Sequence, residues 1–321
     1  MEDLISIVLT LYNKAPYIEE TIFSVYKQTY SNWELIIVDD CSTDWSFEIA
    51  KSFCEKLWIT EKCKFIKNEK NLGLSKNTLK WFSLSNGEYI ALVDADDILM
   101  KNKLEKNISF CKNWGYDLCY SDLTTIDKNG EVKEKSFNDI ARIWENKNSI
   151  KKIIKNGLCV ASSMLLKKSL ASEIVKIGIP DKIYQDHRIG IISCILWYKI
   201  GFIKESLVYY RRIPWNMSYK ETANTNKKIL TNWKNTLQEL NLRCLCIMEN
   251  KLIKKTKALE KYLGNIINTT SIYINYISTD DIIPPHKLIK LSLNKDCIYF
   301  TRRLPIIICR KMIKKYYEWM V

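Results

Sequence analysis

The stretch GEYIALVDADD, Gly87 to Asp97, constrains this chain more than any other. Its apolar run, Tyr89 to Val93, predicts a strand buried on both faces, because a strand with one wet face would alternate with polar residues. That strand ends in three carboxylates, Asp94, Asp96 and Asp97. In extended chain, residues two apart share a face, so Asp94 and Asp96 can point the same way and grip one hard cation through oxygen. Two anions held that close repel unless a cation sits between them. The plainer reading is a strand followed by an acidic helix start, with Asp96 or Asp97 as N-cap.

The residues before Gly87 repeat the arrangement. Ile5 to Leu11 is an apolar strand, and Ala15 to Thr29 has amphipathic helical spacing through Ile18, Ile22, Val25 and Tyr26, with Pro16 suited to its first turn. Trp33 to Val38 is a second strand, ending in Asp39 and Asp40, after which Ser42, Thr43 and Asp44 open a helix. A third strand, Cys63 to Lys67, leads through the loop Asn68 to Leu74 into a helix from Ser75 to Leu84. Strand and helix in alternation predict an α/β fold with a doubly wound, mostly parallel, Rossmann-like sheet. Ligands in such sheets sit at the carboxyl ends of the strands. Thr10, Tyr12, Asp39, Asp40, Asp94 and Asp96 all fall there.

The chain of 321 residues is 47% hydrophobic and 27% charged, which is globular, and its length allows one large domain or two. A formal net charge of +14 implies an anionic partner. No nucleic-acid motif accompanies the charge, and the paired acids would repel phosphate unless metallated. The eleven cysteines are scattered, Cys244 and Cys246 lack the spacer of a metal knuckle, and only His187 and His286 could assist, so reduced thiols in the cytosol are expected rather than zinc. MEDLISIVLTLYNK resembles no secretory signal, and the apolar stretch Ile189 to Ile203 is interrupted by Tyr198 and Lys199 and too short to span a bilayer. The expectation is a cytoplasmic protein, soluble or lying on the inner membrane face.

SIVLTLYNKAPYIEETIFSVYKQTYSNWELIIVDDCSTD, then NLGLS, then GEYIALVDADD, strongly resembles family 2 glycosyltransferases of the GT-A fold, closely through Thr125 and more loosely to Ser218. The resemblance implies a catalytic domain over 1–218, in which 1–97 holds the nucleotide sugar and 98–218 faces the acceptor. Thr10 and Tyr12 would flank the base, usually uracil, and Asp40, with Asp39 beside it, would accept its N–H. Asp94 would lie near the ribose, and Asp96, with Asp94, would ligate Mn²⁺ or Mg²⁺ bridging the diphosphate; Asp97 is expected to be a helix cap. Gly73 would supply the turn of the N-x-G-x-S loop, through backbone freedom or close approach. Relatives continue with Ala-Arg-Asn where this chain has Asn77, Thr78 and Leu79, so the arginine is missing and Lys76 is the nearest cation.

Further along, LCYSDLTT (Leu118 to Thr125) predicts a strand joined by a turn at Asn129 and Gly130 to a hairpin. Leu158 to Lys167 predicts another strand, whose Ser162 and Ser163 either face the donor sugar or pack internally. In YQDHRIG, Asp186 matches the relatives' catalytic base, with Gln185 replacing a frequent Glu; residues alone would make Asp186 the cap of a helix from Arg188 to Tyr198. His187 faces another direction. YYRRIPWNMS resembles the segment whose Arg211 or Arg212 would approach the diphosphate; Asn216 and Ser218 match, but Ile213 stands where many relatives have His. Trp215 is an acceptor-stacking aromatic or a loop anchor.

From Tyr219 the resemblance fades into a helical, basic extension over 219–321, with helices at Asn232 to Leu240, Arg243 to Leu263 and Gly264 to Tyr276. Its end, Tyr299 to Val321, interleaves Arg302, Arg303, Arg310, Lys311, Lys314 and Lys315 with bulky apolar residues. That suits an interfacial helix on anionic lipid, a helix packed on the catalytic domain, or a protomer contact. The resemblance implies an inverting, metal-dependent hexosyl- or N-acetylhexosaminyltransferase. It would move sugar from a UDP-linked donor to a glycan hydroxyl, on a lipid-linked acceptor of O-antigen, lipooligosaccharide or capsule type. The alternative is a catalytically eroded nucleotide- or carbohydrate-binding descendant.

Overall fold

The structure, a computed structural model, describes residues 2–134, 160–177 and 185–213, and beyond these only Gln238, Cys244, Lys257, Glu260, Lys261, 263–268 and Ser271. The chain divides into two compact units, residues 1–217 and 218–321.

In the first unit, β1 (Ile5–Leu11), α1 (Ile18–Tyr26), β2 (Trp33–Asp39), α2 (Ser46–Lys56), β3 (Cys63–Lys67), α3 (Leu74–Leu84) and β4 (Tyr89–Asp94) follow one another as strand and helix. After the acidic turn come β5 (Ile98–Leu99), α4 (Lys103–Trp114), β6 (Leu118–Ile126) and β7 (Val132–Glu134). A 3₁₀ turn, Ala161–Ser163, enters β8 (Met164–Lys167), followed by α5 (Lys168–Ile177), α6 (Gln185–Ile195) and β9 (Ile200–Arg211); a second 3₁₀ turn, Thr60–Lys62, precedes β3.

The strands form one sheet in the order β3-β2-β1-β4-β8-β6-β9-β5, with β7 paired to β6. β1 to β4 are parallel, and so are β6 and β9, while β8 runs against both β4 and β6. Strands buried on both faces need no alternation, and β1 and β4 are apolar nearly throughout for that reason. On one face, Ile7, Leu9, Leu35, Ile37, Ala91 and Val93 pack with Ile18 and Ile22 of α1, Ala50 and Cys54 of α2, and Leu104 and Ile108 of α4. The alternate residues Val8, Ile36, Ile90 and Leu92 are equally buried and point the other way. There α3, α5 and α6 contact one another. The sheet is doubly wound and mostly parallel, as the alternation predicts.

Helix α1 starts at Ile18, because Tyr17 and Ile18 donate to the Lys14 carbonyl and close a turn over Lys14 to Tyr17. Tyr26 is 39% exposed, outside the buried stripe, with the Lys27 ammonium 5.2 Å from its ring. Asp97 caps no helix: it is fully buried, and the chain continues into β5. Val160 is extended, but residues 161–163 coil into the 3₁₀ turn, so the strand expected from Leu158 is shortened to Met164–Lys167. Helix α6 begins at Gln185 and ends at Ile195, ahead of the predicted span. β5, α4, α5 and β9 have no counterpart in the sequence reading. In the second unit, 263–268 are continuously helical, so no helix boundary separates Leu263 from Gly264. Most of the other C-terminal helices, and all of Tyr299 to Val321, lie outside the described residues.

Candidate functional site

Pairing of β1 with both β2 and β4 sets Leu11 opposite Asp39 and Thr10 opposite Asp94, so three strands end together. The Thr10 hydroxyl donates to Asp94 Oδ1 at 3.0 Å. Beneath the turn, the Ser162 hydroxyl accepts the Asp94 N–H at 3.0 Å and donates to Asp97 Oδ2 at 2.5 Å. Ser162 is therefore an internal brace, and Ser163 donates to the Val160 carbonyl, so neither serine hydroxyl is directed at a sugar. The Arg211 N–H closes the other side by donating to Asp97 Oδ1 at 3.0 Å.

Asp96 is 4% exposed and its Oδ2 lies 2.6 Å from the Lys14 ammonium. Burial, then the neighbouring Asp96 and to a lesser degree Asp186, push the Asp94 carboxyl up to about 7, against the Thr10 hydrogen bond and Lys14. Burial, with Asp96 and Asp94 close by, also raises Asp97 well above the carboxylate range. Asp186, in the first turn of α6, is near enough to act on Asp94 although far from it in sequence. Asp94 at the end of β4 and Asp96 in the turn after it are neighbouring carboxylates, and Asp186 adds its negative charge to theirs, which favours binding a cation.

Arg211 turns inward. It is 2% exposed, and its Nε donates to the Asp96 carbonyl at 3.0 Å. Its Nη1 donates to the carbonyls of Asp127 and Lys128, and its Nη2 meets Glu20 Oε2 at 2.5 Å, while the Tyr17 ring lies 4.6 Å from its Cζ. A guanidinium committed to these partners stays inside the protein and braces the acidic turn, whereas Arg212 beside it is exposed. Ile213 is fully buried, and its apolar side chain offers a cation no ligand.

At the nucleotide edge, Tyr12 is 48% exposed, so it is no packed core aromatic. Asp40 spends its carboxylate on the loop that follows β3: Oδ1 accepts from Asn68 Nδ2 and the Leu72 N–H, and Oδ2 from the Gly73 N–H. Gly73 adopts φ +78° and ψ 157°, and a Cβ there would meet nothing within 4 Å, so backbone freedom and not close approach requires glycine. Asp39 is fully buried, with Oδ2 accepting the Ser42 N–H and Oδ1 lacking a partner among the described residues. Asn77 accepts from Asn68 within the same buried network, and Lys76 is exposed. Sequence reasoning missed Lys14 and Glu20. Lys14 was legible as the first cation after Tyr12, but Glu20 is joined to the site only through Arg211, remote in sequence.

The sequence profile described as glycosyl transferase family 2 matches residues 6–175, more than half of the chain. The chain belongs to this family. An uncharacterized glycosyltransferase of Methanocaldococcus jannaschii is 32% identical over 242 residues, covering 72% of this chain and 80% of the relative. A putative teichuronic acid biosynthesis glycosyltransferase, TuaG of Bacillus subtilis, is 38% identical over 39% of this chain and 51% of its own length. Among solved structures, S. aureus TarS 1-349 in complex with UDP-GlcNAc superposes with a TM-score of 0.58, at 19% identity, over 92% of this chain and 78% of that one. Mannosyltransferase PcManGT of Pyrobaculum calidifontis, in complex with GDP-Man and Mn²⁺, gives 0.53 at 15% identity over 98% and 87%. The fold of this family 2 glycosyltransferase is GT-A.

Among the described residues of the transferase, no group of three or more His, Cys, Asp or Glu is arranged as a metal cage. Oxygen ligands from Asp94 and Asp96 still fit a small hard cation, which is commonly held by one or two carboxylates and completed by substrate phosphates and water. That Asp96 already holds an ammonium shows the position accepts positive charge. No helix among the described residues is long and apolar enough to cross a membrane. A depression lined by Asp3, Glu88, Lys167 and Lys168 opens at the amino end of β4, the opposite sheet edge from the acidic turn.

Proposed function

We propose that this family 2 glycosyltransferase moves a sugar from a UDP-linked donor to a hydroxyl of a glycan acceptor, with inversion at the anomeric carbon. The observation that supports it best is that β1, β2 and β4 end together, which sets Thr10 against Asp94 and leaves Asp96 in the turn that follows. Tyr12 and Thr10 flank the base; an imide N–H bound at Asp40 shares that carboxylate with the loop it organises. Asp186 takes the proton of the acceptor hydroxyl as the oxygen attacks from the face opposite the leaving group. Asp96, with Asp94, would hold Mn²⁺ or Mg²⁺, which when bound neutralises the charge growing on the departing diphosphate.

Residues 1–217 form the catalytic domain and 218–321 an extension. The acceptor is lipid-linked, as suits a surface-polysaccharide transferase; the named role of TuaG and the basic sequence of Tyr299 to Val321 support this reading. A thermal-shift panel of UDP, GDP, TDP and CMP, each with Mn²⁺, Mg²⁺ or EDTA, tests the donor site. Ligand at a hundred times its Kd stabilises a fold by about 2.7 kcal/mol, a readable shift. Stabilisation by UDP that disappears in EDTA is expected, and no shift with any nucleotide would remove the donor site.

A further inference from the structure

We propose that Lys14 is a tethered counter-ion of the acidic turn, held on Asp96 until a divalent cation displaces it. This rests on the metal-bridged donor site proposed above. The ammonium lies 2.6 Å from Asp96 Oδ2, and the two side chains are 16% and 5% exposed, so the pair is largely shielded from solvent screening. The backbone that carries Lys14 is fixed from several sides. Its N–H donates to Ser46 Oγ at 2.9 Å, its carbonyl accepts from Tyr17 and Ile18, and the flanking Asn13 and Ala15 N–H groups donate to Ser42 and Asp44. Asp96 is fixed in turn by Arg211 on its carbonyl. Two rigid loops therefore aim one flexible side chain at the carboxylate, and only the four-carbon stem has to move.

A divalent cation on Asp96 and an ammonium in contact with the same oxygen repel each other, so the two occupancies exclude one another. Without a cation, Lys14 offsets the mutual repulsion of Asp94, Asp96 and Asp186. Once displaced, its ammonium can pair with another anion, for which the donor supplies a diphosphate. Metal alone then binds weakly, because it must break the pair. Metal with nucleotide binds well, because the diphosphate accepts the released lysine. By linkage the nucleotide gains as much from the metal as the metal from the nucleotide.

The test is Mn²⁺ titration of the full chain, read by electron paramagnetic resonance of the free ion, for wild type, Lys14→Met, Lys14→Arg and Asp96→Asn, with and without UDP. Lys14→Met is expected to bind Mn²⁺ about tenfold more tightly than wild type without UDP, and to lose most of the gain that UDP confers. Its melting temperature in EDTA is expected to fall and to recover with Mn²⁺, and Lys14→Arg should stay near wild type. Unchanged or weaker Mn²⁺ binding by Lys14→Met, with Asp96→Asn silent, would overturn the role of Lys14 while leaving the metal site standing. No Mn²⁺ binding by any protein even with UDP would overturn the metal site, and this proposal with it.

Discussion

Tyr12, at 48% exposure, contributes little to the core, so its ring is available to a ligand. Tyr12→Ala is expected to weaken UDP binding by about 1–3 kcal/mol, the range for loss of an aromatic platform under a base, with an unchanged melting temperature. Calorimetric titration beside a thermal melt separates the two effects. Arg211 is the opposite case, buried and bonded to Asp96, Asp127, Lys128 and Glu20. Lysine keeps the charge but not the fork, so Arg211→Lys should cost about 3 kcal/mol in urea denaturation, in the range for breaking a buried ionic network. Its preference for UDP over uridine should not change; a reduced preference would return Arg211 to the diphosphate. For Asp186→Asn we expect turnover to fall about a hundredfold or more, the contribution of a general base, while UDP affinity holds. Unchanged turnover would remove Asp186 as the base.

Between elements, Glu34 clips three strands at the amino edge of the sheet. Its oxygens accept from Ser6 on β1, Lys64 on β3, and the N–H and side-chain amide of Asn86 ahead of β4. Burial alone would raise its pKa, but the hydrogen bonds from Lys64, Ser6 and Asn86 outweigh it and hold the carboxyl below its ordinary value of 4.5. A depressed carboxylate stabilises the fold above its unfolded pKa, and that contribution is lost as pH falls through the folded value. Glu34→Gln should therefore cost about 2 kcal/mol at pH 7, as for hydrogen bonds to a charged group, and the gap to wild type should close as the solution is acidified below about pH 4. Chemical denaturation across pH measures it; a gap that persists in acid would mean the carboxylate charge is not what matters. The amino-end clip and the acidic turn lie at opposite ends of β4, so the substitution should leave UDP binding intact.

At the scale of the molecule, the described sheet and its main hydrophobic cluster lie within residues 1–217. A protein comprising these residues alone is expected to unfold cooperatively and to bind UDP. A broad transition without a folded baseline would show that 218–321 supplies part of the core. Calorimetry of the truncated chain decides between these outcomes.

Periodicity made β1, β2, β3 and β4 and the helices between them legible, because buried parallel strands and amphipathic helices write their environment into consecutive residues. The acidic strand end at Asp94 to Asp97 was local in the same sense, whereas the turn at Gly73 was expected only from the family resemblance and the exposure of Tyr12 came only from the structure. β5 and β9 were not legible: a two-residue strand has no period, and the partly exposed run of β9 is specified by its pairing with β6. Tertiary structure alone decided what the charged and polar side chains face. Asp97 and Ser162 became internal braces, Arg211 turned inward to hold the acidic turn, and Lys14 came to rest on Asp96. Each of those outcomes depends on residues far apart in sequence meeting in a desolvated space, where a charge must find a partner, and no local pattern records which partner the fold will bring.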